Sequence, residues 1–224
     1  MILRRSFKFI IYSFLIIFGA CASKRYISDE QKMKIKQDLL EMVEIDQIAA
    51  KPREGIYKSY STERWESFKD SVFSSNYLKL NDYYKKYGFL GIDKVDKEGA
   101  THFWLLVQHC DKFPEFQRKV LRAMDKEFKK GNANGENYAY LFDRVQVNAN
   151  NKQKFGTQVT YEVETTGRAF PKIGLLDSAN VDLLRKEYGL TTLKEYLNMM
   201  TEWHYEMNKA NYVKKGVLKP NLYP

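Results

Sequence analysis

The stretch Ala100-Thr-His-Phe-Trp-Leu-Leu-Val-Gln-His109 constrains the fold more than any other part of this chain. In a helix from about Lys97 to His109, the apolar side chains of Ala100, Phe103, Trp104, Leu105, Leu106 and Val107 point in nearly every direction. A helix apolar almost all round must be covered on most sides, which makes it the centre of a core. The remaining sequence has to supply the elements that cover it.

Those elements read mostly as helices. A first helix fits Asp29 to about Ala50, with apolar positions at Met33, Ile35, Leu39, Leu40, Met42, Val43 and Ile45, and Pro52 ends it. After a loop to Ser61, two short pieces follow, around Glu63–Phe73 and Tyr77–Tyr87, the second stopped at Gly88. Asp111 is placed to cap the next helix, with Pro114 in its first turn and Lys129-Lys130-Gly131 at its end. Another helix runs from Glu136 to Arg144 or Val147. Beyond Asn151 the texture changes: residues 157–163 and 168–173 flank Thr165-Thr-Gly167, as in a small β-hairpin. Asp177 is placed to cap a helix ending at Tyr188, and Thr192-Leu-Lys-Glu195 is a capping box for a last helix to about Asn208. The expected fold is mainly α, a single compact multi-helix domain with one small β-hairpin.

The N-terminus sets an address. Arg4, Arg5 and Lys8 precede the apolar run Phe9–Phe18, which closes on Gly19-Ala20-Cys21. A charged start, an apolar middle and small residues before a cleavage point form an export signal. The cysteine after the small pair resembles the lipobox of bacterial lipoproteins, although Phe18 stands where leucine is commoner. The apolar run is about half the ~20 residues that span a bilayer as a helix. Residues 1–20 therefore read as a lipoprotein signal peptide and 21–30 as a lipidated N-terminus and tether. Residues 31–212 read as the helical domain and 213–224 as a C-terminal tail. The expected location is the cell envelope, lipid-anchored at Cys21, with an outer membrane slightly favoured by Ala22.

Without residues 1–20, which hold three of the 37 basic residues and no acid, 34 basic side chains face 28 acidic ones, an excess of +6. The charges are scattered in mixed clusters, so a solvated surface is the simplest account and nucleic acid is not an expected partner. With Cys21 lipidated, Cys110 has no partner in the chain, and its apolar neighbours mark it as a buried small hydrophobe rather than a reactive thiol.

No metal and no cofactor is expected. His102 and His109 would lie ~10.5 Å apart along one helix, too far to share an ion. There is no nucleotide loop of the G-x-G-x-x-G or lysine-bearing kind, and no G-x-S-x-G elbow. Three polar clusters stand out instead. Gln108-His109 closes the core helix. Asp143 and Arg144 are adjacent, so on a helix they point about 100° apart and each needs a separate partner. In Gln153-Lys-Phe-Gly-Thr-Gln158, a glycine bend presents amide and hydroxyl groups to one spot.

The order of these motifs carries a resemblance. His102-Phe-Trp-Leu-Leu-Val-Gln-His109, then Tyr140-Leu-Phe-Asp-Arg-Val145, then Gln153-Lys-Phe-Gly-Thr-Gln158 is similar to an uncharacterised bacterial family of unknown function. Asp46-Gln47, Tyr87-Gly88 and Val181-Asp-Leu-Leu-Arg185 fall where that family would place them, over about Leu39 to Tyr196. Phe155 stands in place of the usual tyrosine, and an arginine expected soon after Gln47 is absent. The resemblance implies a shared fold and a shared polar pocket of Gln108, His109, Asp143, Arg144, Gln153, Thr157 and Gln158, but no activity. Three functions follow as expectations. The domain binds a small polar ligand or an envelope protein through that pocket. Alternatively it is a hydrolase or transferase in which His109 and Asp143 perform acid–base work. The third is a purely structural module whose polar motif braces the hairpin.

Overall fold

The computed structural model describes residues 27–224, so the expected signal peptide, Cys21 and most of the expected tether lie outside the described residues. Among them are seven α-helices, a 3₁₀ turn at Gly55–Ser59 and one antiparallel strand pair: α1 Asp29–Ala50, α2 Thr62–Tyr87, α3 Ile92–Gln108, α4 Pro114–Phe128, α5 Gly135–Asn148, β1 Val159–Tyr161, β2 Ala169–Pro171, α6 Val181–Glu187 and α7 Leu193–Lys214. The architecture is mainly α with one small hairpin, as its sequence implies.

Helices α1, α2, α4 and α5 pack around α3, and the five alternate in direction along the chain. α1 starts with a Ser28/Gln31 capping box and buries Ile35, Leu39, Met42, Asp46 and Ala49, a stripe at helical spacing. α2 runs antiparallel to it: Asp38 pairs with Lys79, whereas Asp46, further along α1, accepts from the earlier Asn76. α3 runs parallel to α1, with Lys36 against Asp96 at the shared N-terminal end and Asp46 against His109 at the C-terminal end. Gly99 permits this approach, since a Cβ there would meet Lys36 Cγ of α1 at 3.3 Å. α4 returns along α3, from Gln117 bonding the Val107 and Gln108 carbonyls to Asn132 accepting from Ile92 N. Phe103, Leu106 and Val107 are fully enclosed, so the all-round apolar segment is the centre of the bundle.

Four local readings need correction. Residues 63–87 form one helix rather than two, because Asn76 in its middle is buried against Asp46 between Val72 and Leu80. α3 starts earlier, with a break at Asp96 (φ 56), whose carboxylate caps the Glu98 and Gly99 N–H groups. Neither Asp111 nor Asp177 caps a helix: Phe113 and Asn180 hold those positions, without side-chain caps. α7 extends past Asn208, where the backbone is non-helical, to Lys214.

The hairpin pairs Val159 with Pro171 and Tyr161 with Ala169. It lies on α7, where Thr201 Oγ1 accepts from Ala169 N. The C-terminal residues return to this layer: Arg168 donates to the Asn221 and Leu222 carbonyls, and Tyr223 donates to Ala169 O.

Candidate functional site

The seven residues expected to share one pocket divide between two places. Asp143 faces inward from α5 and is fully buried. Its carboxylate accepts from the N–H groups of Lys154 (2.8 Å), Phe155 (3.1 Å) and Thr157 (2.9 Å), and from Thr157 Oγ1 (3.0 Å). Burial raises its pKa against the pull of those donors. Gln153, also fully buried, donates to Gln158 O and Lys172 O and accepts from Gln158 N. Gly156 makes the bend with φ +72, and a Cβ there would meet Leu193 Cδ1 at 2.8 Å.

Arg185 completes this closed assembly. Its guanidinium is enclosed, donates to Phe155 O and Thr191 O, and lies over the Tyr196 ring. Phe155 packs among Tyr138, Phe142 and Tyr188. Gln108 is sealed as well. With its amide oxygen facing the donors around it, it accepts from Trp104 Nε1 (2.8 Å) and Leu141 N (3.0 Å). Within the Gln153–Gln158 motif, the buried Gln153 and Thr157 therefore brace a loop, while Gln158 is partly exposed.

His109 and Arg144 lie elsewhere, at the end of the bundle where α1 and α3 finish and α2 begins. They line an open cleft of about 630 Å³, walled by Ala49, Pro52, Trp65 and Phe73. The sequence pairs His109 with Asp143 as its orienting carboxylate, but the structure puts Asp46 there. Asp46 is fully buried, and its Oδ2 lies 2.7 Å from His109 Nδ1. Asn76 and Gln47 also donate to it. Phe73 sits against the imidazole, ring centroids 5.3 Å apart. A buried carboxylate on Nδ1 selects the tautomer with its proton there, which leaves Nε2 as the basic atom. Among the described residues no hydrogen bond engages Nε2.

Arg144 donates from Nε (2.9 Å) and Nη2 (2.6 Å) to the two Asp111 oxygens, a two-pronged pair. Gln117 and Asn148 also donate to Asp111. Burial alone would raise the Asp111 pKa, but the Arg144 hydrogen bond and charge, with the two amides, bring it below its ordinary value. Arg144 Nη1 makes no hydrogen bond among the described residues. His109 and Arg144 thus both line the cleft, each held by a carboxylate, with Nε2 and Nη1 left without hydrogen bonds among the described residues.

Sequence reading missed the role of Asp46, Asp111 and Asn76. A signal was present for Asp46: it occupies a core position in the apolar stripe of α1, where a carboxylate persists only with partners. Nothing in the local sequence indicates that Asp111 reaches Arg144, 33 residues away.

The pattern defining DUF6624, a family of unknown function, matches residues 33–209. The chain belongs to DUF6624. The match spans α1 to the middle of α7, and so includes both the cleft and the sealed loop. No curated protein and no solved structure matches the chain. Among the described residues, no group of three or more His, Cys, Asp or Glu side chains is placed to hold a metal ion, and no helix is long and apolar enough to cross a membrane.

Proposed function

We propose that this protein is a lipid-anchored lipoprotein of the bacterial cell envelope whose helical domain binds a small anionic ligand in the cleft of His109 and Arg144. The observation that carries the binding claim is the pairing of each group with a carboxylate, the buried Asp46 for His109 and the more exposed Asp111 for Arg144. Asp46 and Asp111 fix the two side chains, so that Nε2 and the guanidinium edge are positioned before a ligand arrives. A planar guanidinium suits a carboxylate or phosphate, and an imidazole can add a hydrogen bond in either protonation state. The anchor rests on the N-terminal pattern ending at Cys21.

The Asp46–His109 arrangement favours a second reading, acid–base catalysis, in which Nε2 exchanges a proton with a bound substrate and Asp46 takes the orienting role first given to Asp143. Incubating wild type and His109→Ala with an extract of envelope metabolites separates the two. Binding alone predicts an anion retained by wild type with nothing consumed. Catalysis predicts a species consumed by wild type and spared by the variant. Extract constituents that neither bind nor change contradict both. For the anchor, Cys21→Ser is expected to abolish lipid labelling and release the domain from membranes. Membrane retention without lipid would contradict that reading.

A further inference from the structure

The opposite end of the bundle carries the inference, which rests on the lipid-anchored reading above. There α1, α3 and α5 begin and α2 and α4 end, an order fixed by the Lys36–Asp96 pair and by Asn132 bonding Ile92. The seven residues from Ala22 to Ser28 can span at most ~25 Å, at ~3.6 Å each. An acylated Cys21 therefore holds this end near the bilayer. The cleft lies beyond the other end of α1, whose 22 residues are ~33 Å long.

An open groove of about 1610 Å³ occupies the anchored end, between the α2–α3 turn and α4. Lys119, Arg122 and Lys126 recur at spacings of three and four along α4, so they share one face, and all three are exposed. None of the three forms an ion pair among the described residues. Of the three acids lining the groove, Asp125 pairs with Lys129 and Glu127 with Lys130. Tyr84 lies under Lys119, 4.8 Å from its ammonium, and supplies an amphipathic ring at the same rim. Of the four lysines and arginines lining the cleft, by contrast, Lys69, Lys112 and Arg144 are each paired with a carboxylate, and Lys51 alone forms no ion pair among the described residues.

We propose that this groove is the face by which the domain rests on the membrane, with Lys119, Arg122 and Lys126 engaging the phosphates of anionic phospholipid headgroups. Each basic group near an anionic leaflet strengthens such contact about fivefold. Seated this way, the domain directs the cleft of His109 and Arg144 away from the bilayer.

The test uses the full acylated protein, inserted through its lipid into vesicles of phosphatidylcholine alone or with phosphatidylglycerol. Backbone hydrogen exchange is expected to be several-fold slower in residues 84–94 and 119–132 on the phosphatidylglycerol vesicles. Rates in residues 49–53 and 109–113, at the cleft, are expected to stay the same. High salt and the combined variant K119Q/R122Q/K126Q should each remove the difference. Equal rates on the two vesicle types, or slowing at the cleft instead, overturn the proposal. The same slowing caused by inorganic phosphate on phosphatidylcholine vesicles overturns it too, since the groove would then be a small-anion site. Mass spectrometry of the N-terminal peptide reads the anchor separately. A chain without an acyl group at Cys21 sinks both readings, whereas an acylated chain with equal rates sinks only this one.

Discussion

Replacing Asp143 with alanine distinguishes a structural carboxylate from a catalytic one. The side chain accepts from three backbone N–H groups and the Thr157 hydroxyl in a fully buried site. Removing it leaves the Phe155 and Thr157 N–H groups enclosed without partners, at about 1–3 kcal/mol each, and the half-buried Lys154 N–H adds a smaller cost. Relief from burying a carboxylate offsets part of the loss, since burial already raises its pKa. The net expectation is a destabilisation of about 3–5 kcal/mol, or roughly 10–15 °C in Tm for a chain of this size. Urea denaturation of wild type and Asp143→Ala, followed by circular dichroism, measures it. A loss below about 1 kcal/mol with an unchanged m-value would refute the claim that this carboxylate holds the loop.

Two further outcomes follow from the same reasoning. The Asp111 pKa lies below its ordinary value of 3.8 in the folded chain, so its contribution to stability is present above that value and is lost as pH falls through the folded one. Asp111→Asn should therefore reduce stability at neutral pH and flatten its decline on the acid side; an unchanged slope in pH-dependent denaturation would count against the Arg144 pairing. Burial pushes the Cys110 thiol up to about 12, and the side chain is 1% exposed. Iodoacetamide should accordingly modify it only in denaturant, and fast labelling of the native protein would place it elsewhere.

Much of the fold was legible because local rules and tertiary contacts agree. The α1 limits, the Thr192/Glu195 capping box and the hairpin around Gly167 follow from spacing, caps and turn residues. Where side chains chose distant partners, local reading failed. Asp111 has the spacing of a helix cap, yet bonds Arg144 across to α5. The Ser74-Ser75-Asn76 segment weakens helix propensity, yet Asn76 is held by Asp46, 30 residues earlier. The angular argument that Asp143 and Arg144 serve different partners holds, since one closes a loop and the other lines a cleft. It could not say which partners, because the chemistry at His109 depends on a carboxylate 63 residues away.

The central claim is that His109 and Arg144 together receive a small anion. Ring-nitrogen NMR of the His109 imidazole during titration with inorganic phosphate tests it most directly. The account predicts a ring whose Nδ1 carries a proton, a saturable change at Nε2 in wild type, and no such change in Arg144→Gln. A ring protonated at Nε2 instead, or Nε2 signals that phosphate moves equally in both proteins or not at all, would contradict it.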